Sequence, residues 1–346
     1  MQDTDLSLGD ELSLSLPFTD GLVCGTVNID IGSPGTTYNL LFDPGSSNTW
    51  IGAKQAYVKT STSEQTANDV AVTYGSGHFS GLEFMDLLEL NGVSINQSIG
   101  VATSSTGISE DGLLGLGPTA LTNGTLIPDA NDEIPTVLDN LVSQNQVTGS
   151  IITINDDTII FGTDPSPPTD VTYADFTEVP GASSYWGLDA SFTYDTTSLG
   201  PVAAGIVDHG STLNLLPTSS YLTFMNVTGA KQDGATGLPM LASCDGLSPI
   251  TMTLGSETIN ISVDQYRWPE ANNTAIGGIG TNCYLAVGDL GSEFDNLHNG
   301  VGPQFRPPSM AEGNGDAVKF ILGFNTLKHF AVILDKDNSR IGFADL

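Results

Sequence analysis

Two short stretches of this chain share one plan. Leu40-Leu41-Phe42-Asp43-Pro44-Gly45-Ser46 and Gly205-Ile206-Val207-Asp208-His209-Gly210-Ser211 each lead an apolar run into Asp, one variable residue, Gly and Ser. A single Asp-x-Gly-Ser constrains little, because these are ordinary residues of turns at strand ends. A second copy far along the chain, again behind an apolar run, asks for a fold with two similar β units. Such a fold sets Asp43 and Asp208 face to face. Carboxyl groups about 3 Å apart cannot both ionise freely, so they share a proton. A water between them can then lose a proton to one carboxylate while the other donates to a carbonyl. That is peptide hydrolysis without metal or covalent intermediate. The plainer alternative is that each Asp caps only its own turn.

The rest of the chain supports the duplication. Residues 6–31 alternate in strand fashion, most clearly at Val27-Asn28-Ile29-Asp30-Ile31,. Val70 to Tyr74 is a further strand, and Gly75-Ser76-Gly77-His78-Phe79-Ser80-Gly81 makes a mobile hairpin tip before strands at 87–90 and 99–101,. A helix is expected over 135–147, with Pro135 in its first turn, and a second over 218–227, stopped by Gly229,. Hairpins are expected at 151–161, 250–263 and 330–343,. Apolar-Gly runs follow both Asp stretches, at Leu113-Leu114-Gly115 and Ile321-Leu322-Gly323. Asp164-Pro165-Ser166-Pro167-Pro168 is the natural linker, because consecutive prolines stop helices and central strands,. The expected division is an N-terminal β lobe, 1–165, and a C-terminal β lobe, 166–346.

Length and charge narrow the function. At 346 residues the chain can build two lobes, each with a core,. Its 40 acidic against 9 basic residues give a net charge of −31, which repels nucleic acid and anionic membranes, so neither is expected as a partner,. Carboxylate repulsion weakens as pH falls, so the composition suits an acidic medium. No apolar run approaches membrane-spanning length,. Met1-Gln2-Asp3-Thr4-Asp5 lacks a signal peptide's basic and apolar regions, so secretion would need a targeting segment outside this sequence,. Asn-x-Ser/Thr triplets at Asn96, Asn123, Asn226, Asn260 and Asn272 fit a secreted glycoprotein,. Three cysteines are too few for a disulfide scaffold; Cys244 and Cys283 could form one bridge, leaving Cys24 free and buried,.

Taken together, these stretches resemble the pepsin-like aspartic proteases of the A1 type, and their fungal members most. The resemblance covers essentially the whole chain. It implies a mainly β, bilobal pepsin-like fold with a central cleft and a β-hairpin flap. It implies a monomeric, secreted, extracellular endopeptidase with no cofactor and no metal, which takes peptide or protein substrates and pepstatin-like inhibitors. Asp43 and Asp208 would be catalytic. Gly45, Ser46, Gly210, Ser211 and Thr212 would support them, the two serines by hydrogen-bonding the outer carboxylate oxygens. Tyr74, Gly75, Ser76 and Gly77 would form the flap, with Trp50 beside Tyr74 and Leu113 nearby. Cys244 and Cys283 fit the family's disulfide in the second lobe.

The chain departs from that family at two places. Family members carry threonine after each catalytic Asp, where each hydroxyl braces the opposite loop; here Pro44 and His209 stand instead. Pro44 offers neither hydroxyl nor N–H, so one brace is expected to be lost. His209 could bond backbone through a ring nitrogen, or charge and disturb the shared proton. Reduced activity follows as an expectation, and the alternative function is a catalytically impaired relative that binds peptides or inhibitors. Other patterns carry less. Gly115-x-Gly117-x-x-Ala120 contains Pro118 and lacks the helix a nucleotide site needs,. Asp335-Lys336-Asp337-Asn338 reads as a hairpin turn rather than a calcium loop,. His78, His298 and His329 lack ligand spacing and read as surface or flap residues,.

Overall fold

A computed structural model describes residues 12–74, 77–291 and 318–346, and it is built mainly of strands. Alternation decides which residues face inward. In Gly25–Ile31, Val27, Ile29 and Ile31 are buried while Asn28 is exposed, and this strand pairs antiparallel with Thr36–Asp43, Val27 opposite Leu40 and Ile29 opposite Tyr38. Beyond them, Glu64–Thr73, His78–Leu90 and Val93–Thr106 form a long antiparallel meander. The glycine-rich stretch lies at the end of its first hairpin, although Gly75 and Ser76 themselves fall outside the described residues.

The two halves meet in one continuous sheet of fourteen strands. The hairpin of Ile151–Asn155 and Thr158–Gly162 lies beside the closing hairpin of Phe330–Asp335 and Arg340–Asp345, with Ile152 opposite Leu334. Ile152, Ile159, Val332 and Leu334 are fully buried there, and the main apolar core runs through this platform from one half to the other. A second sheet of eight strands carries Ala203–Asp208, and a small three-stranded sheet holds Cys283 opposite Leu241. Cys244 and Cys283 form a disulfide, with Cα atoms 5.2 Å apart. Cys24 is free and buried among the described residues, and burial pushes its thiol up to about 12.

The expected hairpins are present at 151–162, 250–261 and 330–345. The helix Thr218–Thr228 ends where Gly229 takes a left-handed conformation, φ 72°,. The first helix is shorter than expected. It spans Val137–Ser143, because Thr136 and Asp139 close a capping box ahead of it and Asn145 turns left-handed behind it,. Pro135 therefore precedes the cap instead of occupying the first turn.

Candidate active site

Each Asp reaches the site by the same local construction. Thr36–Asp43 pairs in parallel with Gly112–Gly115, placing Asp43 opposite Gly115. Ala203–Asp208 pairs in parallel with Phe320–Gly323, placing Asp208 opposite Gly323. The loop after each Asp then wraps over its neighbouring strand. Gly117 N–H donates to Ser46 O at 2.8 Å, and Phe324 N–H to Ser211 O at 2.7 Å. Only glycine allows that crossing. A Cβ on Gly115 would stand 2.4 Å from the Ser47 carbonyl carbon, and one on Gly323 would stand 2.2 Å from Leu213 O,. The two apolar-Gly runs are thus the struts beneath the loops.

The loops bring Asp43 and Asp208 together. Both are buried, at 2% and 1% exposure, and their carboxyl groups hydrogen-bond one another. Backbone contact is equally close: a Cβ on Gly45 would meet Asp208 Oδ1 at 2.5 Å, and one on Gly210 would meet Asp43 Oδ1 at 2.5 Å. The support is twofold in pattern. Gly45 N–H donates to Asp43 Oδ1 and Gly210 N–H to Asp208 Oδ1, each at 2.8 Å. Ser46 Oγ donates to Asp43 Oδ2 at 2.5 Å, and Ser211 Oγ to Asp208 Oδ2 at 2.6 Å. Burial raises both carboxyls above the ordinary range. Asp208 rises furthest, because the Asp43 charge adds to its burial,. The pair therefore retains one proton well above the pH at which a free Asp loses it. Thr212 faces elsewhere, donating through Oγ1 to Val23 O at 3.0 Å and so tying the second loop to the first half.

Of the two departures from threonine, the structure gives His209 its surroundings. Among the described residues, His209 makes no hydrogen bond to backbone beneath the carboxyls. It is 1% exposed, and neither ring nitrogen has a hydrogen-bond partner among the described residues. Burial pushes the imidazole down to about 3, so it is neutral over most of the acidic range,. Its ring lies 5.7 Å from the Phe42 ring and 6.5 Å from the Phe324 ring. Pro44 is buried beside Asp43.

The aromatic residues of the expected flap region form a separate cluster. Trp50 Nε1–H donates to Tyr74 Oη at 2.8 Å, and the Trp50 ring stacks on Phe79 with centroids 4.4 Å apart. Tyr74 N–H closes the hairpin by donating to Gly77 O at 2.7 Å. Burial and the nearby Asp43 charge push the Tyr74 phenol well up, so the hydroxyl stays protonated,. Leu113 is fully buried in the same cluster, beneath the aromatics instead of on the cleft surface. Gly75 and Ser76 lie outside the described residues, as does His298. No group of His, Cys, Asp and Glu suited to a metal ion occurs among the described residues. Sequence reasoning missed Phe42 and Phe324 as partners of His209. It also missed Trp186, whose Nε1–H crosses to Leu116 O at 2.8 Å. Phe42 stands next to Asp43 and Phe324 follows the second apolar-Gly run, but any apolar residue fits those places, and nothing along the chain marks Trp186.

A two-lobed β fold with paired, buried Asp loops and an aromatic hairpin defines an aspartic-type endopeptidase of pepsin-like architecture. The chain belongs to the eukaryotic aspartyl protease family, whose family model matches residues 26–346. Polyporopepsin of Irpex lacteus is 40% identical to it, over 95% of this chain and 96% of that protein. The crystal structure of the aspartic proteinase from Irpex lacteus superposes with a TM-score of 0.87 at 40% identity, covering 96% and 97% of the two chains. Pepsin A of Gallus gallus is 24% identical, over 95% of this chain and 85% of that protein.

Proposed function

We propose that this protein hydrolyses peptide bonds in extended polypeptides at acidic pH, using Asp43 and Asp208 as one catalytic unit. The observation that carries the reading is the hydrogen-bonded, fully buried carboxyl pair, with both members raised by burial and each held by a serine and a glycine N–H. In the monoprotonated pair the ionised carboxylate takes a proton from a water. The other carboxyl donates to the carbonyl oxygen as the tetrahedral species forms, and the pair then returns a proton to the leaving nitrogen. The substrate lies in the cleft between the lobes 1–165 and 166–346, beneath the hairpin that carries Tyr74 and Gly77, with Trp50 and Leu113 backing Tyr74. The protein works as a secreted monomer, blocked by pepstatin-like inhibitors, and the exposed asparagines among its sequons carry glycans. Neutral His209 leaves the shared proton undisturbed, which favours an active enzyme over an inert peptide-binding relative.

The test is hydrolysis of acid-denatured haemoglobin from about pH 2.5 to about pH 6, with and without pepstatin, beside Asp43→Asn. Pepstatin-sensitive cleavage that disappears in the variant is expected. Pepstatin binding without any cleavage by the wild type would establish the binding module instead.

A further inference from the structure

Four rings run in file across the boundary between the lobes. Phe18 lies 4.9 Å from Phe42, Phe42 lies 5.7 Å from His209, and His209 lies 6.5 Å from Phe324. Phe42 immediately precedes Asp43, and Phe324 follows Gly323, the residue paired with Asp208. The file therefore holds the backbone just before Asp43 and just after Asp208. Room for it is built in, because a Cβ on Gly25 would stand 2.2 Å from the Phe42 ring.

We propose that His209 is a positioning residue: its ring, wedged between Phe42 of the first lobe and Phe324 of the second, holds the Asp208 loop against the Asp43 loop by packing. This rests on the Asp43–Asp208 pair being the catalytic unit. A polar ring at 1% exposure with both nitrogens unsatisfied forgoes its hydrogen bonds, so its shape and contacts carry its contribution,. Pro44 offers the wedge no competing donor. The groups around the ring leave it neutral. Asp43 and Asp208 are occupied with one another and their serines, while Phe42 and Phe324 present only carbon. Lys328 lies 5.5 Å from the Phe324 ring centroid and pairs with Asp20 at 3.8 Å. Charging the imidazole in acid would force the wedge open, and slack between the loops spoils attack geometry steeply.

The experiment compares His209→Phe and His209→Ala with the wild type on denatured haemoglobin, reading kcat, KM, the pH profile and pepstatin affinity by calorimetry. His209→Ala is expected to lose about tenfold or more in kcat, with KM within about threefold and pepstatin weakened in parallel. His209→Phe, which keeps the ring and cannot charge, is expected to hold kcat within about threefold and remain active further into acid. An unchanged kcat in His209→Ala would overturn the proposal. So would a His209→Phe enzyme as impaired as the alanine variant, since the nitrogens would then matter. If His209→Ala does not fold, Phe324→Leu carries the same expectations. A wild type that neither cleaves nor binds pepstatin sinks the Asp-pair reading itself. An active wild type with an indifferent His209 sinks only the wedge.

Discussion

Ser46 shows what a single hydroxyl does at this site. Its proton goes to Asp43 Oδ2, so it stabilises the ionised carboxylate against the burial that raises it,. A hydrogen bond to a charged group contributes about 1.5–3 kcal/mol. Ser46→Ala should therefore move the acidic limb of the rate profile to higher pH and cut the rate near that limb by about tenfold or more. Haemoglobin hydrolysis across pH reads this directly, and an unmoved limb would contradict the assigned bond. His209 acts on stability in the same direction, through burial of a base,. Its folded value of about 3 lies below the ordinary 6.5, so the unfolded chain takes up a proton that the native chain refuses. Stability is then lost as pH falls from about 6.5 to about 3, by up to about 1.4 kcal/mol per pH unit. His209→Phe should flatten that decline in denaturant titrations at successive pH values.

The hairpin of Glu64–Thr73 and His78–Leu90 is the element that joins the site to the body of the first lobe. Tyr74, just past its first strand, is held by aromatic contact. Tyr74→Phe leaves the indole N–H of fully buried Trp50 without the phenol oxygen, which costs about 1–3 kcal/mol,. Differential scanning calorimetry should show a lower melting temperature, and kcat/KM should fall with it; an unaltered melt would mean that the hydroxyl is dispensable. Lower on the same hairpin, Glu83 is 2% exposed, accepts a hydrogen bond from Ser98 Oγ at 2.5 Å and leaves Oε2 unpaired. Burial pushes its carboxyl up to about 7 from 4.5,. The native state keeps the proton that the unfolded chain releases, so stability declines as pH rises from about 4.5 to about 7. Glu83→Gln should remove that decline, with little effect at pH 4.

For the whole molecule these groups combine with the net charge of −31. Rising pH ionises surface carboxylates that repel one another and works against the protons held by Glu83, Asp43 and Asp208,. Falling pH works against neutral His209. Near the bottom of the range it also works against Asp86 and Asp139, which hydrogen bonds hold below the ordinary carboxylate value despite desolvation,. The melting temperature should therefore peak near about pH 4.5–5 and fall on both sides. Added salt should raise it at pH 7.5 and change it little at the peak, because only repulsion between exposed charges is screened. A protein more stable at pH 7.5 than at pH 5 would contradict this balance.

The repeated Asp-x-Gly-Ser, the apolar-Gly runs and the alternating strands were legible along the chain because each is a local pattern imposed by backbone geometry. They sufficed for a duplicated β fold and for Asp43 and Asp208 as partners. The substitutions beside them were not legible in the same way. Whether His209 charges, bonds or packs depends on which rings surround it, and Phe42 and Phe324 come from opposite halves of the chain. The sheet shared by 151–162 and 330–345 has the same origin, since strand alternation marks which face is apolar but not which distant strand will cover it,. Local chemistry determined the parts and their symmetry; long-range packing alone decided how the two loops are held together and what charge they can carry.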